Sequence, residues 1–346
     1  MALLPEWRSK LIIPSLANNL RYQGKVRDVY NIPRHPDWLL QVATNSVSIF
    51  DIILGQQMDQ KGAVLTAITH FWFQKLCTNI PHHLVASSLN SNLNAVHDII
   101  KQYPDIPLER ALVVAKKTPS RYELIFRRHL GGSAFKEYQA TCSVAGQPLL
   151  PGLPQWAELP KALFTPSTKA HEGHDTNISV PAFFTKTGDT GRRTVALLQY
   201  LYEQAYDYAR ERGILLLDTK FEVSWEDGKI VIIDEIFTPD SSRYMFKTDW
   251  LNMLVNGTNA VFKDKQVIRD WGLQTKTPFV DNLQQIDATN KEHVWFVQHK
   301  IVVPDNILRQ AQKVYLDIFE RLPGKQLGDY QYDKMGIKDA PRSCVN

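Results

Sequence analysis

The sequence contains little cysteine, little net charge and no long apolar run, and each shortage excludes a class of protein. Its 346 residues include only three cysteines, which are widely spaced and form no CxxC pair. We therefore expect neither a disulfide framework nor a cysteine-bound metal, and this cysteine usage fits a reducing compartment. The formal net charge of +4 is too small to indicate a nucleic-acid or membrane partner.

Membrane and secretory signals are also missing from the sequence. No apolar run is long enough to cross a bilayer. The N-terminal segment MALLPEWRSKLIIPSL lacks the basic start and the continuous apolar core of a signal peptide. We therefore expect a cytoplasmic protein.

The length is sufficient for two domains, and the residue pattern changes near residue 118. Residues 1–118 have the pattern of strands with local connections around one helix, GAVLTAITHFWFQKLCTNI. Residues 119–346 have the pattern of strands, a loop-rich stretch over residues 146–188, and then strands and helices. This order predicts an α+β protein with an N-terminal domain at 1–118 and a C-terminal domain at 119–346.

Acidic residues interrupt an otherwise apolar hairpin in LLLDTKFEVSWEDGKIVIIDE, residues 215–235. The turn is at Asp227-Gly228, with Glu222 in the first arm and Asp234 in the second. If the connection is a three-residue loop with a bulge, the two carboxylates lie directly across from each other on one sheet face. With a plain two-residue turn, they leave opposite faces.

Two opposed carboxylates repel each other unless a cation lies between them. Magnesium prefers such oxygen ligands and often combines one or two carboxylates with nucleotide phosphates. The competing interpretation is an edge strand protected by surface acids, and the spacing alone slightly favours it. Lys220 shares a strand face with Glu222, so it is either an ion-pair partner or a group that binds an anionic substrate.

Two segments combine glycine with basic residues in a way that suits phosphate. GKVRDVY places Gly24, Lys25 and Arg27 in a turn between strands, although an ordinary hairpin is the commoner outcome for so short a motif. FRRHLGGSAFKEY places Arg127 before a glycine pair, with Ser133 at a helix start. A helix start of this kind serves both as an N-cap and as an anion site.

Two polar loops add further candidates. DEIFTPDSSR places Asp240 and Arg243 in a turn just after the hairpin, where a plain surface turn is the alternative. FTPSTKAHEGHDTNIS concentrates Lys169 and Asp175 with two histidines, but HEGHD does not have the HExxH helix spacing of zinc proteases. A solvated polar loop is an equally good interpretation of that segment.

Together these segments resemble the SAICAR synthetase family, the phosphoribosylaminoimidazole-succinocarboxamide synthases. The resemblance runs from about residue 20 to residue 275 and rests on YQGKVRDVY, ATNSVSIFD, KGAVLT, HLGGSAFKEY, FTPSTKAHEGHDTNIS, LLLDTKFEVSW and IDEIFTPDSSRY, in that order. It implies an ATP-dependent ligase of purine biosynthesis that joins carboxyaminoimidazole ribotide to L-aspartate. It also implies an antiparallel-sheet N-terminal domain and a larger C-terminal domain related to ATP-grasp and kinase folds.

The resemblance also implies roles for individual residues, matched motif by motif. The implied Mg²⁺ ligands are Glu222 and Asp234. The implied loop over the ATP phosphates is Gly24, Lys25, Val26 and Arg27. The implied catalytic residues are Lys220, Asp175 and Lys169. The implied substrate-binding residues are Arg127, Ser133, Asp240, Arg243 and Arg269.

Some positions depart from the family pattern, and some alternatives stay open. Gly131 and Phe135 replace another small residue and a tryptophan, which concerns packing more than chemistry. The segment KKTPSRYE is unlike its counterparts, so it identifies no adenine contacts.

The alternative functions are an ATP-dependent small-molecule kinase, another carboxylate–amine ligase, or a non-catalytic RNA- or nucleotide-binding module. The oligomeric state is open.

Overall fold

A computed structural model describes residues 12–87, 93–169, 176–226 and 228–342 of the chain. Counting these residues only, the chain forms two compact units. The first contains the residues up to Phe71, those of Leu84–Lys116 and those from Phe262 onward, and the second contains Trp72–His83 and the residues of Lys117–Val261. The domain boundary at residues 118 and 119 stays a prediction.

The secondary structure mixes helices and strands, which confirms the predicted α+β class. The strands are β1 (Leu20–Gln23), β2 (Arg27–Ile32), β3 (His35–Ala43), β4 (Ser46–Ile49), β5 (Ile52–Gln57), β6 (Leu84–Ala86), β7 (Ala111–Ala115), β8 (Tyr122–His129), β9 (Ser143–Val144), β10 (Gln147–Pro148), β11 (Glu158–Thr168), β12 (Thr176–Asn177), β13 (Ile214–Glu226), β14 (Lys229–Ile233) and β15 (Ser242–Phe246). The helices are α1 (Lys61–Leu76), α2 (Asn94–Gln102), α3 (Ser133–Thr141), α4 (Val180–Glu211), α5 (Lys247–Asn256), α6 (Gln266–Leu273), α7 (Lys291–Lys300), α8 (Asp305–Arg321) and α9 (Leu327–Met335). Across the described ranges, no helix is both long and apolar enough to span a membrane.

The first unit is built on an antiparallel sheet with the strand order β1-β2-β3-β7-β6. Burial alternates along β2, where Tyr30 and Ile32 face inward. This period of two is expected of a strand with one covered face. The amphipathic helix α2 adds Val96 and Ile99 to the same apolar cluster. The cluster fixes β1 and β2, and therefore the turn at residues 24–26 between them.

A buried histidine links α1 to the C-terminal helices of the first unit. His70 Nδ1 hydrogen-bonds the hydroxyl of Tyr330 at 2.9 Å, and the Tyr330 ring packs edge-on against Phe71 and Phe319. Burial lowers the pKa of His70 from 6.5 to about 4. The imidazole is therefore neutral in the folded protein near pH 6, where the unfolded chain binds a proton.

We expect the free energy of unfolding to decrease as the pH falls from 6.5 towards 4. In this range His70 binds a proton in the unfolded chain but stays neutral in the folded protein. The shift corresponds to about 3 kcal/mol in the free energy of unfolding. Urea unfolding at several pH values measures this slope, and His70→Gln should make it shallower. An equal slope in the variant and the parent would show that His70 does not cause the loss.

The second unit is built on a six-stranded sheet whose order is β12-β11-β8-β13-β14, with β15 also paired to β13. One face of this sheet is aromatic and is covered by α4. Phe126 on β8 contacts Tyr202 on α4, and Phe164 on β11 contacts Phe183 at the start of that helix. Because side chains alternate along a strand, the residues between these aromatics lie on the opposite face.

Candidate active site

The face of the six-stranded sheet opposite α4 carries five of the charged candidates, Arg127, Lys169, Lys220, Glu222 and Arg243. Arg127 on β8 pairs with Asp218 on β13 and with Leu163 on β11, and Glu123 pairs with Ser167. Counting in steps of two from these pairs gives the polar residues that share the face. They are Glu123, Arg127, Thr165, Ser167, Lys169, Asp218, Lys220, Glu222 and Arg243. We call this surface the polar face.

At one end of the polar face, two arginines share one carboxylate. Arg127 Nη1 donates to Asp218 Oδ2 at 2.8 Å, and Arg243 Nε donates to both carboxylate oxygens of Asp218 at 3.0 Å. Arg127 Nε also donates to Thr165 Oγ1 at 3.0 Å. Burial opposes ionisation of Asp218, but Arg243 and Arg127 outweigh it and lower the pKa of that carboxyl. The cluster keeps a net positive charge and two fixed planar donors, which suits a phosphate.

The glycine pair brings the start of α3 to the same arginines. Gly132 has a φ of +60°, a conformation that favours glycine, and a Cβ there would lie 2.6 Å from Arg243 Nη1. Ser133 lines a small cleft together with Arg127 and Thr165. Ser133 was expected to be the N-cap of this helix, but the N-cap is Gly132 and Ser133 is the first helical residue. The positive φ at the N-cap position suits glycine better than serine.

At the other end of the polar face, carboxylates and lysines alternate. Lys220 Nζ lies 2.7 Å from Glu123 Oε1 and 3.7 Å from Glu222 Oε1. Lys169 Nζ lies 2.5 Å from Glu222 Oε2. Burial alone would lower the pKa of Lys220, but Glu123, Glu222 and Asp234 together raise it. The ammonium group of Lys220 therefore stays charged among these three acids.

The acidic hairpin has the two-residue turn, not the bulged three-residue loop. Glu226 pairs with Lys229 and Glu222 pairs with Ile233, so Asp234 does not lie directly across from Glu222. The strand β14 ends at Ile233, and Asp234 has a left-handed φ of 63°. The alternation of side chains along the strand therefore does not determine on which side of the sheet the Asp234 side chain lies. Glu222 and Asp234 nonetheless both raise the pKa of the Lys220 ammonium group. The two carboxylates therefore interact electrostatically with the same charged group.

These acids fit a magnesium ion that is shared with a bound phosphate. No group of three or more histidine, cysteine, aspartate or glutamate side chains forms a metal cage within the described ranges. Magnesium does not require such a cage, because it commonly keeps one or two carboxylates and takes phosphate oxygens and waters for the rest. Glu222 and Asp234, with Glu123 nearby, supply the required kind of ligand.

The remaining candidates of the second unit follow the hairpin or lie in the polar loop. Asp240 directly precedes Ser241, whose carbonyl oxygen accepts a hydrogen bond from the backbone N–H of Lys220 at 3.0 Å. This bond brings the turn at residues 238–241 alongside the lysine end of the polar face. Asp175 lies outside the described residues, and its role stays a prediction.

The candidate phosphate loop of the first unit is a tight turn. The backbone N–H of Gly24 donates to the carbonyl of Arg27 at 2.7 Å, and the N–H of Thr44 donates to the carbonyl of Val26 at 2.8 Å. Lys25 Nζ lies 2.7 Å from Asp51 Oδ1. A Cβ at Gly24 would lie 2.7 Å from the Arg27 carbonyl oxygen, so the turn requires glycine. Phosphate binding by this loop stays a prediction.

Arg269 lies in α6 of the first unit, and its contact with a substrate also stays a prediction.

Sequence reasoning did not single out Glu123, Ser167 or the bridging role of Asp218. Glu123 and Arg127 are four residues apart on β8, so a period-of-two count along YELIFRRHL would have placed them on one face. No local pattern indicates that Asp218 holds two arginines, because those arginines come from β8 and β15.

Comparisons with known proteins give one consistent result. The family model described as SAICAR synthetase matches residues 20–286. A phosphoribosylaminoimidazole-succinocarboxamide synthase of Methylobacillus flagellatus is 41% identical over 310 residues, covering 88% of this chain and 94% of its own. A synthase of the same name from Stenotrophomonas maltophilia is 36% identical over 322 residues, with the same two coverages. The solved structure of the SAICAR synthase from Saccharomyces cerevisiae complexed with SAICAR has a TM-score of 0.72 and 30% identity, covering 94% of this chain and 99% of its own.

Proposed function

Because this chain belongs to the SAICAR synthetase family of purine-biosynthesis ligases, we propose that it joins carboxyaminoimidazole ribotide to L-aspartate. The reaction uses ATP and gives SAICAR, ADP and phosphate. The observation that carries the proposal is the polar face, which has an arginine cluster at one end and lysines among carboxylates at the other. In this proposal the second unit belongs to the larger domain, which is related to ATP-grasp and kinase folds.

The chemistry requires activation of a carboxylate, which is a poor electrophile at neutral pH. A carboxylate oxygen of the ribotide attacks the γ-phosphorus of ATP, ADP leaves, and an acyl phosphate forms. The amine of L-aspartate then attacks the acyl carbon, and phosphate leaves with the former carboxylate oxygen. Such reactions depend mainly on positioning and charge neutralisation, so no nucleophilic side chain is needed.

The dimensions of the polar face suit a ribotide lying along it. Arg127 and Glu123 are four residues apart on β8, which corresponds to about 13 Å along a strand. Arg127, Arg243 and Ser133 would hold the ribotide phosphate. Lys169, Lys220, Asp240 and Asp175 would surround the imidazole and its carboxylate. This spacing would separate the anchored phosphate of the ribotide from its reacting carboxylate.

Magnesium and the nucleotide complete the proposed site. Glu222 and Asp234 would hold the ion, which would offset charge on the phosphate oxygens. Lys169 and Lys220 would neutralise the ribotide carboxylate, so that it can approach an anionic nucleotide. Gly24, Lys25, Val26 and Arg27 would contact the ATP phosphates.

Arg269 would contribute on the substrate side. The base for the L-aspartate ammonium is assigned to Asp175 or His174, and the choice between them is open.

An ADP-release assay with each substrate omitted in turn tests the proposed function. We expect multiple-turnover ADP release only when ATP, Mg²⁺, the ribotide and L-aspartate are all present. Sustained release with the ribotide but without L-aspartate would indicate a kinase instead. Sustained release with the ribotide and a different amine in place of L-aspartate would indicate another carboxylate–amine ligase.

A further inference from the structure

Ser167 is a buried serine whose hydroxyl is unsatisfied. It lies on β11, and only 2% of the residue is exposed to solvent. Its Oγ has no hydrogen-bond partner among the residues that the structure describes. Most buried polar side-chain atoms in proteins are hydrogen-bonded, so a buried hydroxyl without a partner calls for a physical reason.

The neighbours of Ser167 show which part of the polar face it lies on. Two positions earlier on the same strand face, Thr165 accepts a hydrogen bond from Arg127. Two positions later, Lys169 contacts Glu222. Directly across the ladder, Ser167 pairs with Glu123, which contacts Lys220. The hydroxyl therefore lies at the lysine end of the polar face.

A bound substrate would supply the missing partner. A hydroxyl can donate to an anionic oxygen, and hydrogen bonds to charged groups are stronger than those between neutral groups. Alanine at this position would avoid the cost of burying an unpaired polar atom, so folding stability alone does not favour serine. Lys169, two positions later on the strand, and Lys220, which contacts the Glu123 across from Ser167, are the lysines proposed to bind the ribotide carboxylate.

We infer that Ser167 is a substrate-positioning residue whose hydroxyl donates a hydrogen bond to the carboxylate of the ribotide. This inference rests on the proposed function and adds a residue that binds the reacting group. It predicts an unusual combination: removing the hydroxyl weakens ribotide binding while it leaves the protein as stable as before, or more stable.

The test is Ser167→Ala, compared with Ser242→Ala as a matched control. Ser242 is also a buried serine of the same sheet, but its hydroxyl pairs with Thr219 Oγ1 at 2.8 Å on the face that α4 covers. We expect Ser167→Ala to raise KM for the ribotide about tenfold, with KM for ATP unchanged and an equal or higher Tm. We expect Ser242→Ala to lower Tm and to leave every KM unchanged.

The inference is overturned if Ser167→Ala has the ribotide KM of the parent. It is also overturned if the variant raises KM for ATP instead, or if its Tm falls as in the control with all KM values unchanged. Ser167→Thr keeps the hydroxyl and should restore most of the ribotide affinity. If the parent itself shows no release of ADP that depends on ribotide and L-aspartate, the proposed function fails and the inference fails with it.

Discussion

Asp234→Asn should reduce turnover by about 10³-fold while the protein stays folded. The change keeps the size of the side chain but removes the negative charge proposed to hold magnesium against the ATP phosphates. Asp234 follows the end of β14 in a left-handed conformation, which asparagine also tolerates well. Steady-state ADP release at saturating substrates measures the loss, and thermal unfolding confirms the fold.

The matched control for this variant is Asp207→Asn. Asp207 is exposed on α4, the helix that covers the opposite face of the sheet, so the same chemical change there should leave turnover unchanged. Near-normal turnover in Asp234→Asn would remove this residue from the proposed magnesium site. Equal losses in both variants would show a general effect of charge and not a local one.

Asp218→Asn should lower the free energy of unfolding by about 3–5 kcal/mol, because it leaves two guanidinium groups together without their shared carboxylate. The side chains of Arg127 and Asp218 are 8% and 9% exposed, so water offers little compensation. Urea unfolding at pH 7 measures the effect. We also expect a higher KM for the ribotide, because Arg127 and Arg243 lose the group that orients them.

The dependence of the free energy of unfolding on pH in the acid range gives a second test of the role of Asp218. Its pKa is lowered in the folded protein from an ordinary value of 3.8, so its contribution is present above that value and is lost as the pH falls below it. In Asp218→Asn, the free energy of unfolding should therefore decrease less steeply below about pH 4 than in the parent.

Asp189→Asn is the control for the loss of an ion pair. Asp189 pairs with Arg193 at 3.1 Å, but its side chain is 82% exposed, and such surface pairs contribute less than about 1 kcal/mol. A similar small loss in Asp218→Asn would contradict the view that the arginine cluster depends on this carboxylate.

The parts of this structure that depend on local pattern could be predicted from the sequence. The α+β class followed from apolar periodicity. The sequence also placed Arg127 ahead of a glycine pair at a helix start, and it indicated that Lys220 and Glu222 share a strand face. Each of these features depends on residues within one element or one turn.

The parts that depend on distant residues could not be predicted. The turn sequence left two registers open, and neither register gives the direction of Asp234, because its positive φ breaks the alternation. Gly132, not Ser133, is the N-cap, and its neighbour Arg243 is distant in sequence. The residues from Phe262 onward belong to the first unit, and no local sequence pattern indicated this.

The most direct test of the proposed chemistry follows oxygen from the ribotide into phosphate. The ribotide is labelled with ¹⁸O in its carboxylate and is converted with ATP, Mg²⁺ and L-aspartate. We expect each released phosphate to carry one ¹⁸O atom, because the oxygen that attacks ATP leaves with the phosphoryl group. Phosphate without label, formed alongside SAICAR, would contradict activation of the carboxylate by phosphoryl transfer.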